Sequence, residues 1–198
     1  MGVITSEMVK QLRDKTAAGM MACKQALDQC DGDMEKAVDF LRAKGLATAR
    51  KRSDRSTSEG IIHSYIHMGG KIGVMVEVNC ESDFVAKTDD FIQFTKNVAL
   101  HIAASNPLAI QPEDIPEPVV TREKQIYWEQ AKDLGKPEKM MEKIVEGKLS
   151  KFLKESSLMN QPYVRDPNIT IADLLNETIA KIGENIRIRR FVRFQLGE

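Results

Sequence analysis

Apolar positions along the chain change their spacing twice. Over residues 4–45 they recur at helical intervals in three short segments. Met8, Val9 and Leu12 mark the first, Cys23, Leu27 and Cys30 the second, and Met34, Ala37, Val38 and Leu41 the third. Asp31-Gly32 is expected to stop the second helix, Asp33 to cap the third and Gly45 to end it. From Gly60 the interval becomes two. Residues 61–68 and 71–79 read as strands, and Gly69-Gly70 between them predicts a two-residue hairpin. Helical spacing returns with Phe91, Phe94 and Val98, which predicts a helix over 88–104 with Thr88 as its cap. Pro107, Pro112, Pro116 and Pro118 mark a connection. Two amphipathic helices are then expected. The first covers 120–134 with Tyr127, Ala131 and Leu134 on one face. The second covers 137–154 with Met141, Ile144, Val145, Leu149 and Phe152. Gly147 inside the second costs about 1 kcal/mol relative to Ala, which suggests a close packing contact there. A helix over 169–182 and a strand over 185–196 complete the pattern. In that strand Ile186, Ile188, Val192, Phe194 and Leu196 share one face, with Arg187, Arg189 and Arg193 on the other. The whole predicts an α+β protein. Residues 1–55 form a small three-helix N-terminal domain with a basic linker. Residues 56–198 form a core of a small antiparallel three-stranded sheet packed with helices.

The junction of the second strand with the helix after it carries the most distinctive chemistry. Val74, Val76 and Val78 alternate with Met75, Glu77 and Asn79, and the strand gives way to helix at Glu81-Ser82-Asp83-Phe84. A carboxylate beside a large aromatic at the end of a strand suits a probe that enters another protein. It equally suits an acid favouring a helix N-terminus beside a core anchor. Met20-Met21, between the first two helices, offers two adaptable thioethers for a partner surface, with one of the two expected in the small core. His101 borders the apolar stripe of its helix, either as a satisfied core-edge residue or as a partner contact.

Composition narrows the function. A chain of 198 residues holds one or two domains. Lys+Arg and Asp+Glu are both 29, so no overall charge draws the chain to nucleic acid. Arg50-Lys51-Arg52-Ser53-Asp54-Arg55 reads as a solvated connection. No apolar run approaches the roughly 18 residues of a membrane span. Cys23 and Cys30 lie seven residues apart on one predicted helix, about 10 Å by helical rise, too far to bridge. Reduced thiols and a cytoplasmic setting are therefore expected. No phosphate-cradling loop, nucleophile elbow or zinc pattern occurs, so nothing argues for an enzyme, a metal or a cofactor.

Several stretches together resemble the translation elongation factor Ts family. Residues 12–27, LRDKTAAGMMACKQAL, are similar to the family's first motif, and residues 77–87, EVNCESDFVAK, to its second. Gly135-Lys136-Pro137, Ile144-Val145-Glu146-Gly147-Lys148 and Lys181-Ile182-Gly183-Glu184-Asn185 follow in family order. The family usually has Thr where this chain has Ser82, which keeps the capping hydroxyl, and an acid where it has Ala22. The resemblance is to the short form of the family. It implies an N-terminal domain of ubiquitin-associated type and a guanine-nucleotide exchange factor for elongation factor Tu. Asp83 and Phe84 would enter the partner's GTPase domain and disturb its magnesium and phosphate site, with Ser82 beside them as a partner-binding residue. Met21, Lys24 and His101 match positions that meet that domain, and Ile182 and Gly183 match by analogy with a motif of longer chains. A homodimer is implied, with no membrane and no direct nucleic-acid contact. An RNA- or ribosome-binding module using the basic run and the last strand's arginines is the alternative.

Overall fold

The computed structural model describes residues 4–16, 18–133 and 137–198. Ala17, Leu134, Gly135 and Lys136, which entered the sequence reading, lie outside the described residues. Three helices come first: α1 (Ser6–Thr16), α2 (Met20–Gln29) and α3 (Met34–Arg52). Strands β1 (Glu59–Ile66) and β2 (Ile72–Cys80) follow, then the single turn α4 (Asp83–Ala86) and the long α5 (Asp89–Ser105). Helices α6 (Glu117–Lys132) and α7 (Glu138–Ser156) precede β3 (Pro162–Tyr163), β4 (Asp166–Thr170), α8 (Ile171–Ile182) and β5 (Ile186–Gln195). An antiparallel sheet runs in the order β1-β2-β5, so the α+β class read from the sequence is the observed one. The chain divides into two compact units, each assembled from separate stretches.

The first unit comprises Met1–His63, Val76–Lys96 and Asp173–Arg189. Its N-terminal helices close around Val9, Leu12, Cys23, Ala26, Leu27 and Ala37. Asp31 and Gly32, at φ +50° and +83°, make the turn before α3. Asp33 caps that helix by accepting from the Glu35 and Lys36 amides. Unlike the sequence reading, α3 does not stop at Gly45. A Cβ there would sit 3.5 Å from the Ala180 Cβ, so this glycine serves a close approach to α8 instead of a helix end. Arg42 pairs with Asp173 at 2.8 Å, and Arg52 Nη1 donates to the Ile179 carbonyl at 3.4 Å. The latter places a cation at the negative end of α8. The first half of the basic run is thus helix, with Arg52 engaged. Only the part after Arg52 is a connection. Both methionines of the Met20-Met21 pair are exposed, at 48% and 70%, against the expectation that one fills the core. Met8 and Met34 pack there instead. Gly60, at φ +144°, faces the Val78 carbonyl so closely that a Cβ would overlap it.

The second unit comprises Ser64–Met75, Asn97–Ala172 and Arg190–Glu198. The hairpin loop is longer than two residues: His67 N–H bonds the Ile72 carbonyl across Met68 to Lys71, with Gly69 and Gly70 at positive φ. Helices α6 and α7 pack on each other, burying Ala131 and Val145. A Cβ on Gly147 would meet no atom within 4 Å, so the close contact expected there is absent. Ile169 and Thr170 belong to β4, which pairs with β3, and α8 begins only at Ile171. The expected alternation of the last strand also inverts. Arg189 and Arg190 are consecutively exposed, and beyond them Val192, Phe194 and Leu196 face outward. The Arg193 side chain turns in, donating from Nε to the Ala103 carbonyl at 3.4 Å and from Nη2 to Gln195 at 2.7 Å. The last turn of a helix attracts a cation, and the arginine's aliphatic stem tolerates burial.

Candidate partner-binding site

Ser82 ends the extended chain at φ −127° and ψ 154°, and α4 begins beside it. Its hydroxyl accepts from the Val85 amide at 3.4 Å, the capping role expected of it. The same hydroxyl donates to Glu184 Oε1 at 2.7 Å, and the Ser82 amide donates to Glu184 Oε2 at 3.0 Å. The Cys80 thiol donates to the Ser82 carbonyl at 3.1 Å, and burial pushes that thiol's pKa up to about 11. One residue earlier, Glu81 Oε1 accepts from the Asn185 amide at 2.6 Å, while Oε2 lies 3.5 Å from Arg55 Nη1. Asn185 is buried and donates from Nδ2 to the carbonyls of Ser53 and Arg55. The corner is therefore held on both sides by polar groups.

Directly beyond this corner the chain presents Asp83 and Phe84. Phe84 is 79% exposed, which excludes the core-anchor reading. Asp83 is exposed and pairs with Lys87, one turn on, at 2.7 Å. The hydrogen bond from Lys87 holds its carboxyl below the usual carboxylate range. A charged acid and a bare aromatic thus stand side by side at a fixed corner. Exposed aromatics flanked by polar groups commonly anchor interfaces.

The remaining residues singled out by sequence are distributed differently. Met21 and Lys24, three apart, share the exposed face of α2, opposite the buried Cys23, Ala26 and Leu27. Ile182 and Gly183 are half-buried at the end of α8. Gly183 takes φ +90° and returns its amide to the Ile179 carbonyl, a helix stop. His101 is fully buried, and its ring offers no surface to a partner in this arrangement. The Val164 amide donates to its Nδ1 at 3.3 Å, so Nε2 carries the proton and donates to Gln161 Oε1 at 3.0 Å. Burial holds its pKa below the ordinary imidazole value. Sequence reasoning placed Glu81 in the junction without a role of its own and missed Glu184, Asn185 and Lys87 as parts of the corner. The available signal was two acid-containing polar pairs, each abutting the end of an apolar strand. Further exposed apolar side chains lie on and beside the sheet: Ile66 and Met75 on β1 and β2, Met68 in their hairpin loop, Val192 and Phe194 on β5 and Leu196 after it.

The family model for elongation factor TS matches residues 6–198. The chain belongs to the elongation factor Ts family. Elongation factor Ts of Desulfosudis oleivorans is 67% identical over the full length of both chains. That of Syntrophobacter fumaroxidans is 60% identical over 98% of this chain and 97% of the relative. That of Carboxydothermus hydrogenoformans is 56% identical over 99% and 90%. Membership makes this chain a translation elongation factor. Among the described residues no helix is long and apolar enough to cross a membrane.

Proposed function

We propose that the chain is a cytoplasmic guanine-nucleotide exchange factor that binds elongation factor Tu and speeds release of its GDP. The observation that carries this reading is the exposed Asp83–Phe84 pair on a polar-locked corner. Within the GTPase domain, Mg²⁺ bridges the nucleotide phosphates and demands near-octahedral geometry. An aromatic and a carboxylate pressed beside that site shift its ligands and weaken GDP. No covalent bond is made or broken, so the activity is not enzymatic in the usual sense, and no cofactor is needed. Met21 and Lys24, in the N-terminal residues 1–55, supply affinity. His101 contributes indirectly, by fixing the loop that holds Gln161 and Val164, and Ile182 and Gly183 by ending α8 under the corner. Linkage requires that GDP weaken factor binding as much as the factor weakens GDP, so the nucleotide-free partner is preferred. Calorimetry of the chain against nucleotide-free and GDP-saturated elongation factor Tu tests this. Tighter binding to the nucleotide-free form is expected, and equal affinity overturns the reading. The rival, an RNA-binding module, is disfavoured because Arg52 and Arg55 of the basic run already face Ile179 and Glu81.

The same reading includes a homodimer in which the exposed sheet surface meets its own copy. Symmetric pairing is the commonest oligomeric arrangement, and Phe194, 67% exposed, is the natural centre of such a contact. Sedimentation of the wild type and of Phe194→Glu tests it. A dimer that the substitution splits is expected, and a wild-type monomer at all concentrations contradicts it.

A further inference from the structure

Phe84 has almost no packing to orient it, being 79% exposed. Helix α4 beneath it is a single turn, and one turn cannot hold itself together, because nucleation costs more than one hydrogen bond returns. Its own cap bond, from the Val85 amide to Ser82 Oγ, is long at 3.4 Å. The direction in which Asp83 and Phe84 leave the strand must therefore be set from outside the turn. The short, charge-assisted bonds that reach Ser82 from outside the turn both come from one carboxylate. Glu184 takes the Ser82 hydroxyl at 2.7 Å and the Ser82 amide at 3.0 Å. By accepting the hydroxyl proton it also leaves the Ser82 oxygen free to accept from Val85, because a hydroxyl has only one proton to donate. Glu184 is itself placed by a rigid neighbour. Gly183 ends α8 at φ +90°, with its amide on the Ile179 carbonyl. The next residue completes a reciprocal clasp, the Asn185 amide donating to Glu81 Oε1 at 2.6 Å.

We propose that Glu184 is a positioning residue for nucleotide exchange, aiming Asp83 and Phe84 by clamping Ser82 from the end of α8. The assignment rests on the exchange-factor reading above. If only a fraction of molecules hold the corner in the competent direction, insertion falls by that fraction. Initial docking through Met21 and Lys24 on α2 is untouched. Loss of the clamp should therefore lower the maximal rate of GDP release more than it raises the half-saturating concentration of factor.

The test uses full-length Glu184→Ala, Glu184→Gln and Phe84→Ala, each in three measurements. These are release of fluorescent GDP from elongation factor Tu against factor concentration, amide hydrogen exchange over residues 82–87, and thermal melting. Glu184→Ala is expected to cut the maximal rate about tenfold, as a competent fraction of about one tenth would. It should also abolish protection of the Ser82 amide while leaving the melting curve largely in place. Glu184→Gln, which keeps one acceptor for Ser82, should fall between it and the wild type. A maximal rate unchanged in Glu184→Ala while Phe84→Ala is slow overturns the positioning role and leaves the exchange reading standing. Retained Ser82 protection in Glu184→Ala overturns the clamp. Release at the wild-type rate by Phe84→Ala defeats the inserting role of Phe84 and, with it, the aiming role of Glu184, whereas a wild-type chain that leaves release at its spontaneous rate defeats the exchange reading itself. A global melting loss in both Glu184 variants, with rate falling only in proportion to unfolded protein, would make Glu184 merely structural and also overturn the proposal.

Discussion

Replacing Phe84 by Ala separates a probe from a core residue by magnitude. The side chain is 79% exposed, so about a fifth of it is withdrawn from water in the free protein. Full burial of a Phe contributes about 1.5–3 kcal/mol, and a fifth of that is about 0.3–0.6 kcal/mol. In a chain of this length that shifts the melting temperature by about 1–2 °C. A core Phe would instead cost about 3–5 kcal/mol and lower melting by on the order of 10 °C. The effect on exchange runs the other way. An aromatic anchor buried in a partner costs at least about 2 kcal/mol on truncation, about 30-fold in a rate that depends on its insertion. The assay pairs a melt of Phe84→Ala with stopped-flow release of fluorescent GDP from elongation factor Tu at saturating variant. Near-normal melting with strongly slowed release is expected. Normal release, or a melting loss on the scale of a core residue, refutes the reasoning.

Three further outcomes follow from other parts of the chain. Gly147→Ala fills open space in α7, so it should stabilise by up to about 1 kcal/mol and raise melting by about 2–4 °C; a lower melting temperature would mean an unseen contact at that position. His101 is buried with its pKa depressed by burial, so the unfolded chain binds its proton first as pH falls. Its contribution to stability is full above the ordinary imidazole pKa of about 6.5 and declines below it. Melting measured from neutral to mildly acidic pH should fall more steeply for the wild type than for His101→Gln, and parallel slopes would contradict the assignment. Met21→Ala with Lys24→Ala, both on the exposed face of α2, should weaken calorimetric binding to elongation factor Tu with little change in melting, and unchanged binding would remove that face from the interface.

Where one periodicity governed a stretch, sequence gave structure directly. The stripes of Phe91, Phe94 and Val98 and of Val74, Val76 and Val78 are all buried, because each position had one apolar face to hide. Sequence reasoning failed where tertiary contact overrode a local signal. Gly45 looks like a helix stop, yet its missing Cβ admits Ala180 from a residue far along the chain. Arg193 looks like an outward strand residue, yet a helix-end carbonyl draws it in. The β3–β4 pair takes Ile169 and Thr170, where helical spacing predicted a helix start, and a two-residue strand such as β3 carries no period to read. The site divides in the same way. Asp83 and Phe84 were legible as an acid beside an aromatic at a strand end, but only the exposure of Phe84 excludes a core anchor. Glu184 was not legible as a site residue, because its bond to Ser82 spans 102 positions.

The central claim is that this chain opens the nucleotide site of elongation factor Tu. The direct measurement is the rate at which fluorescent GDP leaves purified elongation factor Tu as the chain is added, with excess unlabelled nucleotide present. The observed rate should rise with factor concentration to a plateau far above the spontaneous rate. A release rate that stays at the spontaneous value at every concentration, while the chain remains folded, would contradict the claim.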